Sequence, residues 1–289
     1  GNGLDNVVTM GGGNDLIVLD DGGNDRASGG GGNDFIYYGA AWTTADKTDG
    51  GAGTDTVGLM GSYSFTFAAD SLVGVERLAL YTGQPGSGGT ANSYAITMVD
   101  SNVAPGLQFF VTAASLAASE SLVFNGSAES DGSFTLLSGA GADILVGGAG
   151  GDYLAGGAGA DQLYGLGGDD GLYGGLGADQ LRGGAGRDWF RYESASESTA
   201  AAMDRIADFQ AGEKIDLSAI DADSIAGGNQ AFAFIGSDAF HNVAGELRVS
   251  ESNGSWFVEG DVDGDGAADL VIQVDTILAH PLGASDFVF

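Results

Sequence analysis

Apolar residues recur at every ninth position in the second half of the chain: Leu145, Leu154, Leu163, Leu172, Leu181 and Phe190. Two places before each stands an aspartate: Asp143, Asp152, Asp161, Asp170, Asp179 and Asp188. Glycine-rich stretches precede the aspartates, so the unit reads G-G-x-G-x-D-x-U-x with U apolar, as in Gly156-Gly157-Ala158-Gly159-Ala160-Asp161-Gln162-Leu163-Tyr164. One apolar position between two polar ones is the alternation of a short strand, so x-U-x predicts a three-residue strand with its middle side chain in a core. The six residues before it predict a turn, where glycine admits φ > 0 and lets backbone carbonyls point inward. Two repeats make one coil, with a strand on each side and a turn at each end. Turns then stack along each edge, and each Asp falls beside the Asp two repeats onward.

The first 58 residues hold a looser version of this pattern. Gly13-Asn14-Asp15-Leu16-Ile17 and Gly23-Asn24-Asp25-Arg26-Ala27 are spaced by ten, and the units around Asp34 and Asp55 are full matches. The extra residue predicts a wider turn, and Ala27 a weakly packed coil. Residues 38–49, with Trp42 and Lys47, interrupt the period and predict a loop bulging from one coil. Residues 59–137 lose the nonapeptide. Strand-like runs at 63–67, 75–81, 94–99, 107–112, 122–124 and 134–137 replace it, separated by turn signals such as Gln84-Pro85-Gly86-Ser87-Gly88-Gly89. This stretch is either a set of wider solenoid coils or a small inserted β domain; wider coils are preferred, since arrays flank it. Residues 138–191 are the strong array, in which Leu166 replaces the second glycine of one repeat. Residues 192–289 carry a loop and then strand patterns at 231–235, 246–249, 255–259 and 269–274. An open solenoid end exposes unpaired edges, so a cap is expected there.

Stacked carboxylates repel unless a cation lies between them. Carboxylate and backbone carbonyl are hard oxygen ligands, which suit Ca²⁺ better than Zn²⁺ or copper; Mg²⁺ resists the dehydration an all-protein cage demands. The expected metal residues are Asp15, Asp25, Asp34 and Asp55 with Gly30, Gly32, Gly51 and Gly53 in the first array. In the second they are Asp143, Asp152, Asp161, Asp170, Asp179 and Asp188 with Gly139, Gly141, Gly148, Gly150, Gly157, Gly159, Gly168, Gly175, Gly177, Gly184 and Gly186. Several calcium ions are expected. One buried apolar side chain per nine ordered residues is a thin core, so the chain is expected to be largely unfolded without calcium.

Charge supports the reading. Forty acidic and nine basic residues give −31, which argues against nucleic acid and anionic membranes as partners. The acidity is periodic rather than blocky, which favours metal sites over an acidic tail. With no cysteine, neither disulfides nor thiolate metal sites hold the fold. No apolar run is long enough to span a membrane. Gly1 falls within a repeat, so the chain is expected to be a piece of a longer protein.

The C-terminal half resembles the RTX domain of serralysin-type secreted metalloproteases and the related modules of other type I-exported bacterial proteins. The matching parts are the array 139–191, residues 204–218, Glu259-Gly260-Asp261-Val262-Asp263-Gly264-Asp265-Gly266, and the terminus Asp286-Phe287-Val288-Phe289. The resemblance implies an all-β fold: a parallel β-roll, or RTX β-solenoid, in two arrays joined by the β-rich segment, with a β-rich C-terminal cap. It also implies that the extreme C-terminus is an uncleaved signal read by a type I secretion apparatus, and that the protein is secreted or on the cell surface. The serralysin zinc motif H-E-x-x-H is absent, so the protease chemistry of that family does not carry over.

Other candidates are weaker. Asp261, Asp263, Asp265 and Gly266 fit the start of an EF-hand loop, but its twelfth place is Ile272, so a tight Asp-Gly turn is an equal reading. Asp204, Asp208 and Asp216 are either end-of-roll ligands or turn residues. His241 and His280 read as structural or exposed. No G-x-S-x-G elbow or Walker A sequence occurs. The chain is therefore expected to be non-catalytic: a module that folds on calcium outside the cell and directs type I export of a larger protein. The alternatives are a calcium-assembled structural protein, with calcium-mediated self-association, and the tail of a secreted hydrolase whose catalytic domain lies upstream.

Overall fold

A computed structural model describes residues 1–83, 91–277 and 280–289. The turn expected at 84–89 lies outside these residues. The chain divides into two compact units, Gly1–Gly150 and Gly151–Phe289. Both are built largely from parallel strands that stack coil upon coil into a β-solenoid, and among the described residues helix is confined to short 3₁₀ turns such as Asp100–Asn102 and Ala195–Glu197.

In the first unit, strands Val7–Thr9, Arg26–Gly31, Lys47–Ala52 and Leu72–Val73 form one parallel sheet. Strands Leu16–Val18, Phe35–Gly39, Thr56–Met60, Arg77–Tyr81, Gln108–Thr112 and Ser133–Leu137 form the second. A third holds Tyr63–Thr66, Ser93–Thr97, Ser121–Asn125 and Ile144–Val146. Register explains the core. Ile17, Ile36, Val57, Leu78, Val111 and Leu136 sit opposite one another along the second sheet, and each is at most 3% exposed. Coil size changes along the unit. Phe35 lies opposite Thr56, whereas Ser93 lies opposite Ser121, so the middle coils are longer and hold larger side chains such as Phe124 against Phe134 at 5.2 Å.

The interruption expected over 38–49 is shorter than the sequence suggested. Tyr38 and Gly39 end one strand and Lys47–Ala52 begins the next, leaving only 40–46 between them. Hydrophobic burial drives this. Trp42 folds back to 6% exposure and packs edge-on against Tyr38 at 4.7 Å and Phe67 at 5.3 Å.

In the second unit, Tyr153–Ala158, Gly171–Leu176, Trp189–Arg191, Lys214–Asp216 and Phe287–Val288 make one parallel sheet. Gln162–Gly167, Gln180–Ala185, Asp204–Phe209 and Leu270–Thr276 start the other. That sheet then turns antiparallel through Ser255–Asp261 and Glu246–Ser252, with Ala233–Phe234 at its edge. The antiparallel meander occupies the edge that a further parallel coil would otherwise need. Leu154, Leu163, Leu172, Leu181 and Phe190 are all 0% exposed, as their single-apolar pattern requires.

The repeat strands differ from the three-residue expectation. Tyr153–Ala158 and Gly171–Leu176 run six residues because the ladder continues past the apolar residue, through Gly157 opposite Gly175. Glycine peptides pair across coils as well as any other, so the turn begins later than side-chain alternation indicates.

Candidate metal centres

Each repeat aspartate reaches across to the neighbouring coil. The backbone N–H groups of Asp152, Asp161 and Asp170 donate to Oδ1 of Asp170, Asp179 and Asp188 at 2.7, 2.8 and 2.9 Å. The first array repeats the arrangement: the N–H of Asp15 donates to Asp34 Oδ1 at 2.8 Å, and that of Asp34 to Asp55 Oδ1 at 2.7 Å. The coils differ in length, so the partners are 18 residues apart in the second array and 19 or 21 in the first, yet the contact is the same.

The second carboxylate oxygen faces the turn of its own repeat. A Cβ placed on Gly165 would lie 2.1 Å from Asp170 Oδ2, and one on Gly174 would lie 2.4 Å from Asp179 Oδ2. Asp34, Asp55, Asp170 and Asp179 each leave Oδ2 buried and without a hydrogen-bond donor. A buried charged oxygen with no donor is costly, and a hard cation is the group these oxygen-only surroundings fit.

The turns depend on glycine for two separate reasons. Gly157, Gly159, Gly175, Gly177, Gly184 and Gly186 take φ between 93° and 150°. Successive turns also pack backbone on backbone: a Cβ on Gly177 would come within 1.5 Å of the Gly159 carbonyl oxygen. Leu166 holds the same conformation as its glycine counterparts, at φ 77°, so the exceptional repeat keeps its turn shape at the expense of local strain.

Gly139, Gly141, Gly148 and Gly150 do not take positive φ. They begin the second array and stack on the turns of the long middle coils, where close approach still demands glycine: a Cβ on Gly141 would lie 1.6 Å from the Glu120 carbonyl oxygen. Asp143 differs as well. Its Oδ1 accepts from the N–H of Leu122 at 2.6 Å and its Oδ2 from the hydroxyl of Ser138, which stands where the other repeats have their first glycine.

Burial and neighbouring carboxylates push these acids upward. Asp170 rises to about 7, through burial first and then the charges of Asp152 and Asp188. Asp179 rises to about 6, mainly by burial, against the hydrogen bond from Asp161. Asp204, fully buried, rises to about 8 through burial and Asp179. Such acids are held apart from their preferred charged state until a cation compensates them.

Several members of the site are not nonapeptide aspartates. Asp204 Oδ1 accepts from the N–H of Asp179 at 2.8 Å and carries the ladder past the array. Asp208 takes the N–H groups of Gly183 and Gly184, both at 3.2 Å. Glu213 is pushed to about 8 by burial, Asp188 and Asp208. In the first array, Asp46 Oδ1 accepts from Asp25 at 2.5 Å, and Glu76 Oε2 accepts from Asp55 at 2.8 Å. Asp46 and Glu76 both stand 21 residues after their donors, the spacing that links Asp34 to Asp55, and that spacing was the available signal.

The remaining candidates hydrogen-bond within their own turns or within the cap. Asp261, Asp263 and Asp265 bring carboxylate oxygens within 4.8 Å of one another. Asp261 nevertheless accepts from Gly264 and Gly266, Asp263 from Asp265, and Asp265 from Ala267, the pattern of an Asp-Gly turn. Asp216 accepts from the N–H and hydroxyl of Ser218. His241 Nδ1 contacts Glu246 at 2.7 Å and His280 Nε2 contacts Asp286 at 3.1 Å, both within the cap.

Comparison with known families agrees with this geometry. The model for the peptidase M10 serralysin C-terminal domain matches residues 132–289. The model for the RTX calcium-binding nonapeptide repeat matches residues 11–41. Comparison with curated proteins returns no match.

Proposed function

From the premise that the chain belongs to the peptidase M10 serralysin C-terminal family, we propose that it is a non-catalytic, calcium-folded module that directs type I export of a larger secreted protein. The observation that carries this reading is the row of buried Oδ2 atoms at Asp34, Asp55, Asp170 and Asp179, each without a donor and each facing a glycine turn. Calcium would supply positive charge at those oxygens. The aspartates and the carbonyls of the glycine turns would hold it, in residues 1–58 and 138–191. The Oδ1 atoms keep adjacent coils in register through the N–H they accept. The long coils of 59–137 join the arrays, and residues 192–289 close the roll and carry the export signal.

Binding that occurs only in the folded state makes folding depend on calcium concentration. Low calcium inside the cell keeps the chain unfolded for passage through a channel, and high calcium outside folds it on exit. A catalytic domain elsewhere in the larger protein accords with a family model described as the C-terminal part of a peptidase. Export is tested with a reporter fused upstream of residues 200–289. Secretion that depends on residues 286–289 is expected; equal secretion after their deletion removes the terminal-signal part. The deletion also takes away the strand Phe287–Val288, which pairs with Ile215 and Asp216. A control that breaks this pairing by Ile215→Pro, with the terminus intact, separates signal loss from cap loss.

A further inference from the structure

We infer that Asp100, Glu129 and Asp131 form an additional site for a hard divalent cation, calcium first, outside both nonapeptide arrays. Each supplies a carboxylate oxygen, and the three oxygens lie within 4.8 Å of one another. Two oxygens bound to one Ca²⁺ at about 2.4 Å can be at most about 4.8 Å apart, so the cluster is already of calcium size.

Topology places them together. Asp100 opens the 3₁₀ turn after strand Ser93–Thr97. Glu129 and Asp131 lie in the turn between Ser121–Asn125 and Ser133–Leu137. Ser93–Thr97 and Ser121–Asn125 are paired in parallel, so the two turns stack on one edge of successive long coils. The site thus repeats the logic of the arrays, carboxylates from neighbouring turns converging, without the nonapeptide sequence.

Hydrogen bonding fixes the turn and leaves ligand capacity over. Glu129 Oε1 accepts from the N–H of Gly132 at 2.7 Å and of Asp131 at 3.2 Å. Asp100 Oδ1 accepts from the N–H and the hydroxyl of Ser130 at 2.9 and 2.6 Å. Glu129 is 1% exposed, and its Oε2 is buried with no hydrogen-bond partner. Among the described residues, no ion pair reaches any of the three acids. Three close carboxylates, one of them buried, therefore stand without a protein cation.

Glu120 shows what a purely structural acid looks like in the same region. It too is buried, at 3% exposure, but both its oxygens are filled, by the N–H groups of Gly83, Asn92 and Ala117 and the hydroxyl of Thr82. Those bonds outweigh its burial and lower it to about 2. Glu129 has no such set of donors. Oxygen-only ligands with an exposed mouth at Asp100 and Asp131, where water can complete the shell, fit Ca²⁺ rather than Zn²⁺.

The test is the number of calcium ions bound per full chain, counted by native mass spectrometry and by calorimetry, for the wild type and for Asp100→Asn, Asp131→Asn and Glu129→Gln. Loss of one ion in Asp100→Asn and in Asp131→Asn, with the other ions and the β circular dichroism signal kept, is the expected result. These two residues are exposed, so their variants decide the matter even where Glu129→Gln fails to fold. An unchanged count in both overturns the site. The nonapeptide sites are read separately through Asp179→Asn, so failure of one reading is distinguishable from failure of the other.

Discussion

Asp179 accepts the backbone N–H of Asp161 through Oδ1 at 2.8 Å, while its Oδ2 is buried with no hydrogen-bond donor. One oxygen therefore ties two coils together, and the other is left for a cation. Asp179→Asn keeps the first role and removes the charge behind the second. It is expected to raise the calcium midpoint of folding about tenfold or more, since a charge-assisted contact is worth about 1.5–3 kcal/mol. A calcium titration followed by circular dichroism checks this; an unchanged midpoint would remove Asp179 from the ligand set.

The raised acids set a pH dependence with a definite sign. Asp170, Asp179 and Asp204 move from an ordinary value of 3.8 to about 7, 6 and 8 in the folded chain. Between about 4 and 8 the folded, metal-free chain thus binds more protons than the unfolded one, so its stability falls as pH rises through that window. In chelator, β structure is expected to increase on acidification from pH 8 to pH 5, while more calcium is needed to fold the chain at the lower pH. A metal-free β signal that grows with rising pH would contradict the assignment.

Leu166 holds φ 77° at a surface position, 42% exposed. Leu166→Gly should relieve the strain and stabilise the calcium-loaded fold by about 1 kcal/mol, less than the full left-handed penalty because glycine loses more entropy on folding. Gly177→Ala should do the opposite, by about 3 kcal/mol, because its Cβ would lie 1.5 Å from the Gly159 carbonyl oxygen. Urea midpoints at saturating calcium measure both.

Leu172 is fully buried, in register between Leu154 and Phe190. Leu172→Ala removes one side chain from a one-residue-wide core and is expected to cost about 2–5 kcal/mol. A urea midpoint unchanged at saturating calcium would show that metal, not the apolar column, holds this coil.

The nine-residue spacing made the second array legible, because turn, ligand and core residue each recur in step. Asp46 and Glu76 were harder to read, because they join the ladder from stretches without the glycine turn, and only their 21-residue spacing from Asp25 and Asp55 marks them. Asp143 fits the motif, yet Ser138, standing where the other repeats of the array have glycine, gives it a hydroxyl donor. Glu129 and Asp100 come from different coils of irregular length, so no fixed spacing announces them. Strand ends were blurred for a related reason: glycine carries no side-chain pattern, and the ladder through Gly157 and Gly175 is a backbone property.

Calcium is proposed to complete the fold. Far-UV circular dichroism of the full chain, titrated with calcium from a chelated start at pH 8 with magnesium as control, tests it most directly. A cooperative gain of β signal with calcium and none with magnesium is expected. A chain already fully folded in chelator at that pH would contradict it.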